Sequence, residues 1–522
     1  MLKKLHGRKL AVCLIGGAIY ALFSAFGWQA EHGGVIWAGG ALLVAALLVW
    51  PIAALLAVLL ERGYTRALRR EKTFRAGRAF AFILACYVPM FCVAFPGSFA
   101  YDVPYQLRQV VTGAYSTHHP LLHTLALGGL LQLGRALGDI NLGAALYTAL
   151  QMALLAGCFA LTCGSIARQS GARAAKRAAV FFALYPLNMV MAVNATKDVL
   201  FGGFFALTLA LLNEIQERPS RGLALKIAAC GALAVMLRNN MAYAALVWLA
   251  ILTLGLRKAE KSAALAMLLA LAVGLCGNAA LKRATRAESG DMSEMLSWPI
   301  QQLARARLYD EERLTDAEKK AIDELMPGEA WACYDPTISD PVKFEFDTQA
   351  FRADVKKYVG VWLSVGKKCA GTYLDATMAL TYPFFYPYRE YRVSGYYVQM
   401  GMSDAYDAGW CDFDPPESRS LFPRALASLS WRFGAKGAMQ IPVVGWLFNM
   451  GVIVWTMLFF ALREMYWGRW RRFGTALLPV LLWGTFLLGP VMAGRYIYPF
   501  VCALPVLAAR PGRSVKEAAR HG

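Results

Sequence analysis

The sequence predicts an all-α integral membrane protein with about twelve transmembrane helices and a mixed, mostly helical segment outside the membrane. Hydrophobic residues make up 58% of its 522 residues and charged residues only 17%, whereas about 25% are charged in a soluble chain. The apolar residues form long runs, and a run of about 20 crosses a bilayer core. The basic residues, which give a net charge of +20, lie between these runs, so the charge does not indicate a nucleic-acid-binding surface.

The predicted spans form a group of nine, a long break and a group of three. The twelve apolar runs are 10–28, 34–60, 79–95, 142–166, 178–193, 199–212, 223–237, 241–256, 262–281, 438–462, 473–490 and 496–509. This division predicts three parts. They are an N-terminal transmembrane module at 1–281 with an outer loop at 96–141, an extracytoplasmic segment at 282–437, and C-terminal transmembrane helices with a cytoplasmic tail at 438–522.

The distribution of Lys and Arg predicts the orientation, because cytoplasmic loops carry an excess of these residues. With the N-terminus inside, the inner segments hold 29 Lys and Arg and the short outer turns only five. We therefore expect a multi-pass protein of the cell membrane with both termini in the cytoplasm. The run 119–137 would reverse this orientation if it crossed the bilayer. We interpret it as a helix on the outer face, with Thr117 or His119 as its N-cap and Pro120 in its first turn.

The segment 282–437 differs in composition from the rest of the chain. It holds 23 of the 34 acidic residues, which is typical of a solvated surface. Surface helices are predicted at 299–326, with a helix cap at Thr315–Glu318, and an aromatic loop at 379–410. One disulfide is an open alternative among the three cysteines outside the spans, which are Cys333, Cys369 and Cys411.

Asp102 is the first candidate site residue. It follows the third predicted span and is the only acid between Glu71 and Asp139. A carboxylate at the mouth of a membrane cavity can act as a general base that takes a proton from an acceptor hydroxyl. Its neighbour Tyr101 is a candidate for substrate binding. The alternative for Asp102 is a helix cap or a turn residue, and the sequence does not decide between the two.

Three histidines near the start of the 119–137 run form a second candidate group: His118, His119 and His123. His119 and His123 have the i,i+4 spacing that can hold a metal ion, but the glutamate of a zinc-protease motif is missing. Phosphate binding by His118 and His119, or a hydrogen-bonded structural cluster, is therefore favoured over a metal site.

Charged residues beside short spans form the remaining candidates. Such residues are costly at membrane depth and mark functional positions, and Arg matches phosphate oxygens while Asn suits sugar hydroxyls. Taken singly, each group has a structural alternative, either a self-neutralising Lys–Asp pair or an interfacial anchor. Together on the outer face they indicate a substrate-binding site, with these candidates: Lys197, Asp198, Arg238, Asn239, Arg495 and Tyr496.

Two weaker patterns concern metal ions and sugars. Asp412, Phe413 and Asp414 match the Asp-x-Asp pattern of metal-dependent sugar transferases, but so short a pattern recurs easily by chance. The aromatic residues of 382–410 could stack on sugar faces or form an interfacial belt, which we favour. A divalent cation therefore has no support as a cofactor. No phosphate-binding glycine loop indicates ATP-driven transport either.

The combination of these motifs resembles the GT-C superfamily of membrane glycosyltransferases, which includes the protein O-mannosyltransferases and the bacterial aminoarabinose transferases of lipid A. It is most similar to a group of uncharacterised bacterial multipass proteins with the same order of Tyr-Asp, Ser-x-His-His-Pro and Thr-Lys-Asp. The resemblance covers roughly 79–280 and 438–509. The Asp-Glu pair of the GT-C outer loop is replaced here by Tyr101-Asp102, which argues against the use of a metal ion.

The resemblance implies that a sugar is transferred, with inversion, from a polyprenyl-phosphate donor to a hydroxyl of a glycan, lipid or protein acceptor at the outer face. It implies that Asp102 is the base, that His118 and His119 help to hold the donor, and that three cations stabilise the leaving phosphate, namely Lys197, Arg238 and Arg495. The expected partners are thus membrane lipids and not nucleic acid. Two alternatives stay open: an O-antigen-type polymerase or ligase, and a lipid-linked glycan flippase or exporter without chemistry.

Overall fold

The structure is a computed structural model that describes residues 5, 7–32, 40–62, 73–253, 260–290, 292–387, 415–433, 441 and 443–510. Across these residues the regular structure consists of helices, and β-structure is limited to isolated bridges. The predicted all-α class is therefore confirmed. The Asp-x-Asp pattern at 412–414 lies outside the described residues.

The described residues of the N-terminal part contain twelve helices. In chain order they are α1 (Arg8–Glu31), α2 (Gly40–Arg62), α3 (Ala76–Ala94), α4 (Val103–Thr112), α5 (Leu121–Ala136), α6 (Ile140–Ser170), α7 (Ala172–Leu184), α8 (Pro186–Ala192), α9 (Lys197–Glu217), α10 (Arg221–Leu237), α11 (Asn239–Thr253) and α12 (Glu260–Thr285). Within the described residues, six are long and apolar enough to cross a membrane: α1, α2, α3, α6, α9 and α12. Each of the six contains most of one predicted span, which indicates a membrane protein.

The segment that follows α12 forms a small helical unit with its own core. Its helices are α13 (Ser297–Tyr309), α14 (Asp316–Leu325), α15 (Asp340–Lys343), α16 (Thr348–Ala353), α17 (Val355–Lys368) and α18 (Ala370–Thr381). The predicted cap is confirmed, because Thr315 and Glu318 form a capping box at the start of α14. Cys333 and Cys369 are free thiols, and Cys411 lies outside the described residues.

Where the structure describes the C-terminal part, it contains four helices, α19 (Pro423–Phe433), α20 (Met450–Tyr466), α21 (Trp470–Leu487) and α22 (Tyr498–Ala508). The helical unit after α12 contacts the end of α21. The Trp298 indole N–H donates to the carbonyl of Leu487 at 2.6 Å, and the backbone N–H of Ser339 donates to the carbonyl of Pro490 at 2.9 Å.

The other six predicted spans correspond to shorter helices. The span 178–193 is divided between α7 and α8, because Pro186 lacks the N–H that a continuous helix would use and instead begins a new helix. In the region of the predicted span 438–462, α20 begins only at Met450. α10 and α11 have 17 and 15 residues, and 17 residues rise only about 26 Å against roughly 30 Å of bilayer core.

The run 119–137 forms a helix, as the sequence predicts, but its start differs. α5 begins at Leu121 with Pro120 as the N-cap residue and without a side-chain cap. The expectation of Thr117 or His119 as the cap is therefore wrong. Its 16 residues rise about 24 Å, which is short for a full crossing.

α9 lies at the centre of the bundle. Of its apolar stretch, 89% is buried inside the protein, and it packs against α6, α10 and α22. Gly202 allows the close approach of α22, since a Cβ at this position would lie 2.9 Å from the Cys502 Sγ and 3.0 Å from the Tyr498 ring. The first residues of α9 and the turn before α22 are thereby held side by side.

Candidate functional site

Backbone pairing between two loops brings the first candidate residues together. Ser98, in the loop after α3, forms a parallel bridge with Asn194, in the turn before α9. The N–H of Ser98 donates to the carbonyl of Val193 and the N–H of Ala195 donates to the carbonyl of Ser98, both at 2.8 Å. The loop that ends at Asp102 is therefore fixed beside the start of α9.

Two residues of α6 hold this pairing in place. The side-chain amide of Gln151 donates to the carbonyls of Ala192 at 3.0 Å and Asn194 at 2.8 Å. Thr148 lies against Gly97, where an added Cβ would be 2.2 Å from the Thr148 hydroxyl. Gly97 also has φ +145°, which L side chains rarely adopt. Only glycine fits this position.

Asp102 binds two cations that are far from it in sequence. Arg495 donates from Nη1 to Oδ2 at 3.0 Å and from Nη2 to Oδ1 at 2.9 Å, which is the bidentate arrangement of a strong pair. Lys197 donates to Oδ2 at 2.8 Å. Asp102 is also the N-cap residue of α4, but its side chain does not cap the helix. The Asp102 carboxylate is thus paired with the two cations, and it does not cap α4 through its side chain.

A second carboxylate lies next to these cations and is buried more deeply than that of Asp102. Asp198 is fully buried and forms an ion pair with Arg238, while its Oδ2 lies 3.8 Å from Nε of Arg495. The Thr196 hydroxyl donates to Oδ2 at 3.2 Å. Asp198 therefore balances part of the positive charge.

Aromatic rings cover the two guanidinium groups. The Arg238 guanidinium lies 4.5 Å from the Phe486 ring centre and 4.4 Å from that of Tyr496. The Arg495 guanidinium lies 4.6 Å from the Tyr101 ring and 5.3 Å from the Tyr496 ring. Cation–π contacts of this kind hold a guanidinium in place while leaving N–H groups on its edge available.

The three histidines have different surroundings. His119 is buried, with Nδ1 3.4 Å from Nζ of Lys197. His118 is exposed, and the centre of its ring lies 4.5 Å from that of His119. His123 belongs to a separate buried network, with one ring nitrogen 2.9 Å from the Gln106 amide and the other 2.8 Å from the Tyr147 hydroxyl. The structural alternative therefore applies to His123.

The ion-pair cluster, defined as Asp102, Lys197, Asp198, Arg238 and Arg495, contains three cations and two carboxylates. Burial alone raises the pKa of Asp102, but the charges of Arg495 and then Lys197 hold this pKa well below its usual range. Burial likewise holds the pKa of His119 well below its usual value, so this ring is neutral and accepts a hydrogen bond. The cluster thus carries one net positive charge.

The cluster opens to solvent on one side. The side chains of Asp102 and Lys197 are 20% and 14% exposed, whereas that of Asp198 is inaccessible. In the part of the chain that the structure describes, Nε of Arg238 and Nε of Arg495 are buried without a hydrogen-bond partner. Because unsatisfied buried donors are costly, these N–H groups are suited to an incoming anion.

Asn239 directly follows Arg238 in the chain and is exposed at the start of α11. The neighbouring Asn240 donates instead to Thr485, at 3.1 Å, and joins α11 to α21. Sequence reasoning also missed Gln151 and Gln106. Their signal is visible in retrospect, because both are uncharged polar residues that are buried among apolar neighbours. Over the described residues, no three His, Cys, Asp or Glu side chains are placed to hold a metal ion.

The fold and the site define a helical membrane protein with a buried, positively charged ion-pair cluster at one end of its bundle. A model of a family of unknown function (DUF6020) matches residues 105–521, and the chain belongs to this family. The matched region includes every residue of the cluster except Asp102. No curated protein and no solved structure matches the chain.

Proposed function

We propose that the protein is a membrane glycosyltransferase of the GT-C type, which transfers a sugar from a polyprenyl-phosphate donor to a hydroxyl acceptor. The observation that carries this proposal is the convergence of Lys197, Arg238 and Arg495 on one buried site with a net positive charge. Such a site favours an anionic group, and its position at the end of an apolar bundle suits an anion on a lipid.

The cations would act on the leaving group. Arg495 and Lys197 direct three N–H groups at a single carboxylate, and a phosphate offers oxygens of the same charge and a similar spacing. When the bond between the sugar C1 and the phosphate oxygen breaks, its electron pair remains on that oxygen. The cations stabilise the resulting charge on the polyprenyl phosphate.

Asp102 would take the proton in the same step. The acceptor hydroxyl oxygen attacks C1 from the face opposite the phosphate and forms the new glycosidic bond, and its proton passes to the Asp102 carboxylate. The products are the inverted glycoside, the polyprenyl phosphate and a protonated Asp102. Because His119 is neutral and lies beside Lys197, it would orient the ammonium group toward the phosphate.

The proposal also assigns the cluster to one side of the cell membrane. Twelve spans with both termini in the cytoplasm would put the cluster at the outer face of the cell membrane, together with the helical unit after α12. The acceptor would then be a glycan, lipid or protein outside the cytoplasm, and no metal ion is required.

Transfer by purified protein tests this function. The chain is reconstituted in nanodiscs with polyprenyl-phosphate sugars and a panel of hydroxyl acceptors, and products are detected by mass spectrometry. We expect a covalent glycoside and free polyprenyl phosphate, without added metal. We expect Asp102→Asn to abolish the product.

A matched control is Asp139→Asn, which removes one exposed carboxylate that pairs with Arg419 outside the cluster. This variant should transfer sugar at the wild-type rate. Full activity of Asp102→Asn would exclude Asp102 as the base. Movement of unmodified lipid-linked glycan across vesicles, without any covalent product, would instead favour the flippase alternative.

A further inference from the structure

We propose that the Asp102 carboxylate occupies the phosphate-binding position of the ion-pair cluster, and that the donor phosphate must displace it before transfer. This inference rests on the proposed function and adds a control step to it. In this mechanism Asp102 is first an internal competitor of the donor and afterwards the base. The ligand that displaces it is a lipid phosphate.

The geometry of Asp102 supports the first part of the inference. Both of its oxygens accept from Arg495, at 2.9 and 3.0 Å, and one accepts also from Lys197, at 2.8 Å. Asp102 and Lys197 have the most exposed side chains of the cluster, at 20% and 14%. A phosphate that entered from the side of these two residues would meet nitrogens whose N–H groups already point at the carboxylate.

The deeper pair does not compete in this way. Asp198 is inaccessible and its main cationic partner is Arg238. Asp198 therefore balances the charge of Arg238, and the N–H groups of Lys197 and Arg495 are left to Asp102. Of the two acids in the cluster, Asp102 is the more exposed, at 20% against 0% for Asp198.

The displacement would control the order of events. While Arg495 and Lys197 hold the carboxylate, its basicity is too low to remove a proton from a hydroxyl. A bound phosphate accepts the N–H groups of Arg495 and Lys197 in place of the carboxylate and adds a negative charge nearby. Both changes raise the basicity of Asp102. An acceptor would thus be activated only when the lipid-linked sugar donor is bound.

Binding of farnesyl phosphate to the full-length chain in nanodiscs tests the inference, with farnesol as the uncharged control. Because apparent affinity is reduced by the fraction of protein in the competent state, removal of the competitor should increase it. We expect Asp102→Asn to bind farnesyl phosphate about tenfold to a hundredfold more tightly than the wild type. Farnesol binding should not change, and Asp139→Asn should bind both probes like the wild type.

The outcomes separate this inference from the proposed function. If both proteins bind farnesyl phosphate but Asp102→Asn binds it equally or more weakly, the competitor role is wrong and the phosphate site stands. If neither protein prefers farnesyl phosphate to farnesol, the phosphate site itself is wrong, and both proposals fail.

A structure of the wild-type chain with bound farnesyl phosphate provides a second measurement, which does not depend on the folding of a variant. We expect phosphate oxygens within hydrogen-bond distance of Arg495 and Lys197. The Asp102 oxygens should have moved beyond hydrogen-bond distance of Arg495. An intact Asp102–Arg495 pair beside the bound phosphate would overturn the inference.

Discussion

The two ends of α9 both carry buried charges, but the charges are used differently. α9 rises about 31 Å from Lys197 and Asp198 in the ion-pair cluster to Glu214 and Glu217 at the opposite end of the bundle. At that end, Glu214 accepts from Arg168 and from Ser165, and Arg472 lies 3.4 Å from Glu217. The same helix therefore allows a direct comparison of its two ends.

The opposite end places its cations where helix dipoles favour them. Arg463 donates to the carbonyls of Leu507 at 2.6 Å and Ala508 at 3.3 Å, and Arg472 donates to that of Ala509 at 2.8 Å. These carbonyls end α22, and a cation there stabilises a helix. The guanidinium groups at this end hold the helices together.

At the cluster end, two of the three cations lie where helix dipoles oppose them, whereas Arg238 lies at the C-terminus of α10. Lys197 is the first residue of α9, and Arg495 lies in the turn that leads into α22. The N-terminus of a helix carries partial positive charge, so neither cation gains stability from its position. Residues that break such local rules are expected at functional sites. Under the proposed function, one end of the bundle serves stability and the other binds an anion.

Substitution of one arginine at each end of the bundle should give the largest difference in transfer rate. Arg495→Gln removes two donors from the proposed phosphate site, and we expect the transfer rate to fall by about 10²- to 10³-fold. Arg495→Lys should recover only part of the rate, because an ammonium group lacks the bidentate arrangement. Initial rates, normalised to the folded protein recovered from size exclusion, measure both effects.

The matched variant at the other end is Arg463→Gln. It removes a guanidinium of similar burial from the carbonyls that end α22, so it should lower thermal stability and leave the rate per folded molecule unchanged. A loss of rate equal to that of Arg495→Gln would contradict the division between the two ends.

Gly97→Ala tests the scaffold of the cluster. The new methyl group would meet the Thr148 hydroxyl, and φ +145° is strained for alanine. We expect a loss of about 1–3 kcal/mol in stability and a lower transfer rate, because the loop that carries Asp102 must shift. Thermal unfolding and initial rates are measured on the same preparations.

The double variant Gly97→Ala/Thr148→Ala removes the clash but not the backbone strain, so it should recover only part of the stability and part of the transfer rate. Wild-type behaviour of Gly97→Ala would show that the loop is not held as described.

The sequence predicted the composition of the cluster but not its pairing. Asp102, Lys197, Arg238 and Arg495 were recognisable because charges beside apolar runs are rare. That Asp102 binds Arg495, 393 residues away, depends on packing of α22 against α9, which short motifs do not encode. For the same reason, sequence alone assigned the cations to a ligand, with a Lys197–Asp198 pair as the alternative. It did not foresee that Lys197 and Arg495 pair with Asp102, or that Arg238 pairs with Asp198.

The fold was predicted best where helices are long. α6 and α12 follow from their apolar runs, whereas the break at Pro186 and the late start of α20 depend on local backbone geometry and neighbours. The Thr315 cap was predictable because both partners of a capping box lie within four residues. Gln151 was not, because its hydrogen bonds reach backbone carbonyls 41 and 43 residues away.

Glu214→Gln should change stability without changing catalysis. The variant removes the charge that pairs with Arg168, and the Arg168 side chain is 48% exposed, so solvent screens the loss. We expect a destabilisation of about 1–2 kcal/mol, seen as a lower unfolding temperature in detergent, with a normal transfer rate for the folded fraction. A reduced rate at full stability would indicate that the opposite end also takes part in the reaction.

The smallest effect is expected for Asn239→Ala, at the edge of the cluster end. The sequence placed Asn239 among the sugar-binding candidates, yet the residue is exposed at the start of α11, while its neighbour Asn240 donates to Thr485. We expect less than about a twofold change in KM for donor or acceptor with Asn239→Ala, as for surface substitutions in general. Asn240→Ala should lower stability by about 1 kcal/mol, because it removes a part-buried hydrogen bond between α11 and α21. A rise of KM by fivefold or more in Asn239→Ala alone would place the sugar against this residue and extend the site beyond the ion-pair cluster.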